Sequence, residues 1–325
     1  MRPKLSGNIL FVFSDPGGAK PCLSLIELDN IVNSVAISDR EYSFYKSFKT
    51  QVRLVNRDFE QLIDTIHPEL IFTGTSYTSD IEQQFIKIAK KQGIYCYSFV
   101  DHWTSISKRF KDSKGEMIFP DKVWMIDERA KRIAIDEGIE ESKLVISGNP
   151  YHDWLRNWKP SISKEQFFSK LQLLDQSQKL LVYAPDPLSN INGKEVYGFD
   201  EVSATSVIVN LFNYYQKELK EWKVLVKMHP NQDREKLVHI VENNKPFLVL
   251  SDNIDTNTLI YYADVVMGFF SSFLIEASVM NKYVLRFLEN IVNNDPIAEV
   301  NIGKIVNNSS LVTTLRTHLL KSNVK

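Results

Sequence analysis

The feature that most constrains the fold is a series of short runs that are apolar almost throughout rather than at alternate positions. In the first half these are NILFVFSD (8–15), SVAISD (34–39), QVRLV (51–55), ELIFTGTS (69–76), IYCYSFVD (94–101), KVWMID (122–127) and KLVISGNP (143–150). A strand with one wet face alternates apolar and polar residues. A continuous apolar run belongs to a parallel sheet covered on both faces. Helical patterns separate the runs: DFEQLIDTIHP (58–68), SDIEQQFIKIAKKQG (79–93), with a Ser/Asp start and a Gly93 stop, and ERAKRIAIDEGI (128–139).

The second half repeats the plan. Its strand runs are KLLVYAPD (179–186), KVLVKMHP (223–230), PFLVLSD (246–252), DVVMGFFSS (264–272) and KYVLRF (282–287). Its helical patterns are 202–222, 233–244, 273–281 and 310–322. A chain of 325 residues has room for two domains. The expectation is an α/β protein of two doubly wound, Rossmann-like domains facing across a cleft, residues 1–157 and 158–325. Between the halves, HDWLRNWKPSISKEQFF (152–168) reads as linker and first helix of the second domain.

Several function classes are disfavoured. Lys and Arg total 39 against 40 Asp and Glu, so the basic excess of a nucleic-acid binder is absent. No apolar stretch has the length of a membrane span. The N-terminal MRPKLSGNILFVFSD runs into a strand without a signal-peptide cleavage pattern. Cys22 and Cys96 form no C-x-x-C pair and read as thiols in a reducing compartment. A soluble, cytoplasmic protein is expected, with a peripheral contact at the inner membrane face left open. No dense His/Cys/Asp cluster has metal-ligand spacing, so metal independence and no cofactor are expected.

Candidate chemistry lies at strand ends, where open parallel sheets bind ligands. KVLVKMHP stops at His229-Pro230 and DVVMGFFSS at Ser271-Ser272, with Glu276 about one turn into the following helix. A helix beginning after two hydroxyls offers free N–H groups and its positive dipole end to an anion such as a phosphate. Glu276 can accept hydrogen bonds from a ribose diol; the alternative is a solvated first-turn carboxylate, with the serines as plain caps. His229 can donate to a phosphate oxygen, and Lys227 shares its side if the strand continues. LLVYAPDPLS places Asp186 in a loop that either borders a nucleotide base or is a plain turn.

In the first half, FSDPGGAKP (13–21) follows the first strand. Gly17-Gly18 permit close backbone approach and positive φ, and Pro21 suits the first turn of a helix. Asp15 there can take a proton from an attacking hydroxyl, or can close an Asx-type turn on its own backbone. Asp101-His102 is a second acid/base candidate on the same edge, and Thr75 and Ser76 can line an acceptor pocket. The run Lys108, Arg109, Lys111 reads as a solvated loop. The pairs Tyr214-Tyr215 and Tyr261-Tyr262 read as packed or half-buried.

These patterns together resemble a glycosyltransferase of the GT-B type. PDKVWMIDERAKRIAIDEGIEESKLVISGNPYHD resembles the end of the first domain in UDP-N-acetylglucosamine 2-epimerases and CDP-glycerol glycerophosphotransferases. KMHP followed by SS resembles the HP and S-S motifs of bacterial sialyltransferases, polysialyltransferases and Kdo transferases. That resemblance implies that His229, Ser271 and Ser272 contact the phosphate of a CMP-activated sugar. It also implies that Glu276 is a ribose ligand and that Asp15 stands where those enzymes carry a base. The sequence departs from these families where Asp15 is followed by Pro16 and two glycines, and where FSS replaces the epimerases' SGG. The implied activity is inverting transfer of a sugar from a nucleotide donor to a glycan or glycolipid acceptor. The alternatives are a CDP-polyol phosphotransferase, a UDP-sugar 2-epimerase and a non-catalytic nucleotide-sugar-binding module. Asp15, Asp101 and His102 are then the catalytic candidates. Gly17, Gly18, Asp186, Lys227, His229, Pro230, Ser271, Ser272 and Glu276 are the nucleotide and phosphate contacts.

Overall fold

A computed structural model describes residues 2–322 except 113, 174, 176, 252–253, 290 and 292–294. The chain divides into two compact units, residues 1–157 and 158–325. The first holds strands β1 (Ile9–Phe13), β2 (Ser34–Ser38), β3 (Val52–Leu54), β4 (Leu70–Thr73), β5 (Tyr95–Val100), β6 (Lys122–Met125) and β7 (Leu144–Ile146). They form one sheet in the order β3-β2-β1-β4-β5-β6-β7, and each adjacent pair is parallel. Helices α1 (Pro16–Asp29), α2 (Phe59–Ile66), α3 (Ile81–Gln92), α4 (Glu128–Asp136) and α5 (Pro150–Leu155) connect them and close the unit.

The second unit repeats the winding. Strands β8 (Lys179–Ala184), β9 (Trp222–Val226), β10 (Phe247–Val249), β11 (Val265–Gly268), β12 (Tyr283–Phe287) and β13 (Lys304–Val306) run in the order β10-β9-β8-β11-β12-β13. Its helices are α6 (Lys164–Lys170), α7 (Gly193–Tyr197), α8 (Glu201–Tyr214), α9 (Arg234–Val241), α10 (Thr256–Tyr262), α11 (Ser272–Val279) and α12 (Leu311–Ser322). β8 shows why its run is apolar throughout. Leu181 and Tyr183 enter the core on one face of the sheet, while Leu180, Val182 and Ala184 enter the core on the other.

Local chemistry sets the boundaries. Asp127 caps α4 by accepting Ala130 N–H at 2.7 Å, and Asp200 caps α8 in a capping box with Ser203. Gly93 ends α3 in the left-handed region at φ 70°. The long helix expected over 202–222 stops at Tyr214. Beyond it the chain turns so that Leu219 and Trp222, 2% and 1% exposed, reach the core. The strand expected over 246–252 is β10; residue 252 lies outside the described residues. Tyr214 is 80% exposed, contrary to the packed role expected for it. Tyr262 packs on Phe167 with ring centroids 5.1 Å apart.

The glycine turn after β1 is also different from expectation. α1 begins at Pro16, with Asp15 at the N-cap, so Gly17 and Gly18 are helical and Pro21 lies inside the helix. The glycines are needed for space rather than for positive φ. A Cβ on Gly18 would lie 2.8 Å from the Thr75 nitrogen and 2.9 Å from Gly74 Cα. The first turn of α1 is therefore pressed against the end of β4.

In each sheet the strand order reverses beside the first strand of the unit, between β1 and β4 and between β8 and β11. The carboxyl ends of such switch points are where open α/β sheets bind ligands.

Candidate functional site

At the second unit's switch point, β8 lies between β9 and β11, so the loops after the three strands share one edge. The axes of β9 and β11 are about 10 Å apart, two strand spacings. His229 follows β9, Asp186 follows β8, and Ser271 follows β11. Gln232 ties the first two loops together: its amide donates to the Pro185 carbonyl at 2.8 Å, and its side-chain oxygen accepts His229 N–H at 2.8 Å. Asn190 adds a bond to the Asn231 carbonyl at 2.8 Å.

The His229 ring is exposed, and its Nδ1 accepts the Asn231 N–H at 3.1 Å. Partial burial and then the nearby Lys227 charge hold its pKa below the ordinary value, so the ring is neutral at pH 7. With Nδ1 occupied as an acceptor, the proton sits on Nε2, which becomes an outward donor. β9 ends at Val226, so Lys227 does not share an extended strand with His229. Instead its ammonium lies 5.5 Å from the centre of the Phe273 ring, in the first turn of α11. Pro230 is exposed and has no N–H to give an anion.

Ser271 occupies the N-cap position of α11, yet its side chain makes no cap hydrogen bond. Its Oγ is buried without a partner. The hydroxyl stands beside the Asp186 carboxylate but outside hydrogen-bonding geometry. Ser272, the first residue of α11, is exposed. Glu276 is 7% exposed, which removes the solvated-carboxylate alternative. Asp186 is half-buried, and its Oδ2 accepts the Phe270 N–H at 2.8 Å. Burial pushes its pKa up to about 6, against the opposing effect of the Phe270, Phe269 and Ser271 N–H groups.

The first unit's switch point carries Asp15, Gly17, Gly18 and Asp101. Asp15 neither closes an Asx turn nor stands free. Its Oδ1 accepts from Thr78 Oγ at 2.6 Å and Arg40 at 3.2 Å, and its Oδ2 accepts Tyr77 N–H at 2.8 Å. It therefore fastens the loops after β2 and β4 to the end of β1. Asp101 Oδ1 is paired with Arg109 at 2.9 Å. Its other oxygen lies over the first turn of α1, where a Cβ on Gly17 would come within 1.9 Å of it. The close approach that the two glycines allow is thus filled by the chain's own Gly74 and Asp101.

His102 is exposed, with Nδ1 bracketed by Thr104 N–H at 3.2 Å and Thr104 Oγ at 2.9 Å. The backbone N–H can only donate, so Nδ1 is an acceptor here as in His229, and the proton of the neutral ring sits on Nε2. Burial, the largest cause, lowers the His102 pKa, so this ring too is neutral at pH 7. Thr75 and Ser76, each 2% exposed, do not line an open pocket. Thr75 Oγ donates to the Phe99 carbonyl at 3.2 Å, and Ser76 Oγ accepts Asp15 N–H at 2.9 Å.

Sequence reasoning missed two charged residues here. Arg109, read as part of a solvated run, is 7% exposed. Its guanidinium stacks 4.4 Å from the centre of the Tyr77 ring. Glu82, 1% exposed, accepts Ser14 N–H at 3.0 Å and the Ser76 hydroxyl. The only local signal was Ser79-x-x-Glu82, which reads as a helix-start pair. Among the described residues, no group of three or more His, Cys, Asp or Glu could hold a metal. Among the same residues, no helix is long and apolar enough to cross a membrane.

Two doubly wound parallel sheets, each in its own unit, give the two-domain, Rossmann-like α/β fold of the GT-B type. Residues 134–293 match the family model described as CDP-Glycerol:Poly(glycerophosphate) glycerophosphotransferase. The chain is 24% identical to the teichoic acid ribitol-phosphate polymerase TarK of Staphylococcus aureus, a match that covers 94% of this chain. It spans 58% of that relative's length. Among solved structures, it is similar to a putative UDP-N-acetylglucosamine 2-epimerase from Listeria monocytogenes, with a TM-score of 0.68 and 13% identity over 98% of this chain and 88% of that one. It is also similar to S. aureus MnaA solved with UDP, with a TM-score of 0.64 and 15% identity over 95% and 86% of the two chains. A third is the UDP-GlcNAc 2-epimerase from Neisseria meningitidis bound to UDP-GlcNAc, with a TM-score of 0.63 and 12% identity over 98% and 92%. These relatives fall on the glycerophosphotransferase and epimerase side of the resemblance drawn from the sequence.

Proposed function

We propose that the protein is a transferase that moves a polyol phosphate, glycerol- or ribitol-phosphate, from a CDP-activated donor to a hydroxyl of a cell-surface polymer. One observation carries this reading. Asp186, Lys227, His229, Ser271, Ser272 and Glu276 share one sheet edge, and all fall within the residues that match the glycerophosphotransferase model. The S. aureus relative, named as a ribitol-phosphate polymerase, points to the same chemistry. It favours the CDP-polyol alternative over the CMP-sugar reading.

The acceptor oxygen attacks the donor's β-phosphorus. A new P–O bond forms, the bond from β-phosphorus to the bridging oxygen breaks, and CMP leaves with that oxygen and the electron pair. Charge grows on the leaving phosphate, and preorganised donors lower the barrier most where charge develops. His229 Nε2–H, the first-turn N–H groups of α11, the Ser271 and Ser272 hydroxyls and the Lys227 ammonium are those donors. Glu276 accepts from the ribose hydroxyls. The acceptor hydroxyl's proton passes to solvent as the new P–O bond forms. Asp15 has a supporting role here, because its carboxylate already holds Arg40, Thr78 and Tyr77.

The test is calorimetric titration with CDP, CMP and UDP, followed by CMP release from CDP-glycerol and CDP-ribitol with a polymer acceptor. Binding of CDP that is lost in His229→Ala, together with CMP release from a CDP-polyol in the presence of the acceptor, is the expected result. Binding of UDP alone, or transfer of a sugar from a CMP-sugar, would overturn the reading.

A further inference from the structure

β11 ends at Gly268, and α11 begins at Ser272. The direction in which the first N–H groups of α11 point is therefore set by Phe269, Phe270 and Ser271. Two charged side chains grip this turn from opposite sides, both through its backbone. From β8, Asp186 Oδ2 accepts Phe270 N–H at 2.8 Å. From β12, Arg286 Nε donates to the Phe269 carbonyl at 3.2 Å. Arg286 is 2% exposed, and its remaining charge is met by Asp295.

The strand order makes this grip possible. β11 lies between β8 and β12, and Gly268 pairs with Ala184 on one side and Arg286 on the other. A Cβ on Gly268 would stand 2.6 Å from the Ala184 carbonyl oxygen, so the glycine lets β8 and its Asp186 come close to the turn. The turn's aromatic rings add packing: Phe269 lies 5.1 Å from Phe199 and Phe270 lies 4.9 Å from Tyr197, centroid to centroid.

On the phosphate site proposed above, we infer that Asp186 and Arg286 are positioning residues. They hold the Phe269–Ser271 turn so that the α11 N-terminus and the two serine hydroxyls meet the donor phosphate, and Asp186 itself is not a nucleotide ligand. Three features support this. A carboxylate has only acceptors when ionised and cannot ligate a phosphate. The Asp186 oxygen is directed at a backbone N–H of the chain. Apolar packing could fill the space around the turn at less desolvation cost than a buried guanidinium, so the charged pair is there to fix backbone direction.

The test uses the full chain and two variants, Asp186→Ala and Asp186→Asn. The asparagine oxygen can still accept Phe270 N–H; alanine cannot. In the ligand-free protein, amide exchange over 269–272 should speed up in the alanine variant and stay near wild type in the asparagine variant. CDP affinity, titrated well below the melting temperature of each variant, should weaken about tenfold in Asp186→Ala, the loss of about one hydrogen bond's worth of placement, and less than about threefold in Asp186→Asn. Unchanged exchange in Asp186→Ala overturns the inference, as does an equal loss of CDP affinity in both variants. If the wild type binds no nucleotide, the proposed function fails, and the exchange measurement still decides whether Asp186 sets the turn.

Discussion

Glu82 offers the sharpest physical prediction, because its carboxyl is closed off beneath the end of β1. Oε1 accepts Ser14 N–H and the Ser76 hydroxyl, and Oε2 is buried without a partner. Burial, opposed by those two hydrogen bonds, raises its pKa from 4.5 to about 7. The folded protein therefore holds this proton to higher pH than the unfolded chain does. Below pH 4 both states are protonated and burial costs nothing for charge. As pH rises from about 4.5 to about 7, the unfolded chain ionises first and the fold loses stability. Two and a half pK units correspond to about 3 kcal/mol.

Glu82→Gln removes the titration and keeps an oxygen for Ser14 and Ser76. Its advantage over the wild type should be close to its low-pH offset at pH 4, larger by about 1.4 kcal/mol at pH 5.5, and larger by about 3 kcal/mol at pH 8. Urea unfolding of both proteins, read by amide exchange within β1 and β4, follows the first unit alone, since two units need not unfold as one. A stability difference that stays flat between pH 4 and pH 8 would refute the reasoning, because it would mean that Glu82 ionises in the fold as readily as in the open chain.

Two further substitutions test the packing and the phosphate turn. Gly18→Ala places a methyl group 2.8 Å from the Thr75 nitrogen and should destabilise the first unit by about 2 kcal/mol, despite alanine's better helix propensity, as a denaturation midpoint will show. Ser271→Ala should leave stability within about 0.5 kcal/mol, because the hydroxyl makes no cap bond, yet weaken CDP binding several-fold; a stability loss of the usual cap size, about 1 kcal/mol, would contradict the uncapped geometry.

What was legible in the sequence, and what was not, follows from the range of the contacts involved. The strands of both sheets were readable because burial on two faces writes a continuous apolar run into the local sequence. β13 escaped because only Val306 of its three residues is buried, at the sheet edge. α10 was missed because its seven residues, TNTLIYY, are too few to display a helical period. The placement of His229, Asp186 and Ser271 on one edge followed from strand ends and winding alone. How those residues are held did not. The Phe270–Asp186 bond joins positions 84 apart, the Phe269–Arg286 bond positions 17 apart, and Arg109 meets Thr75 across 34. No helical or strand periodicity records such pairs, so Arg109 looked like part of a solvated basic run and Glu82 like one more residue of a helical pattern. Strand ends thus show where chemistry-bearing loops gather, while the charged residues that hold those loops are fixed only when the sheet brings distant turns together.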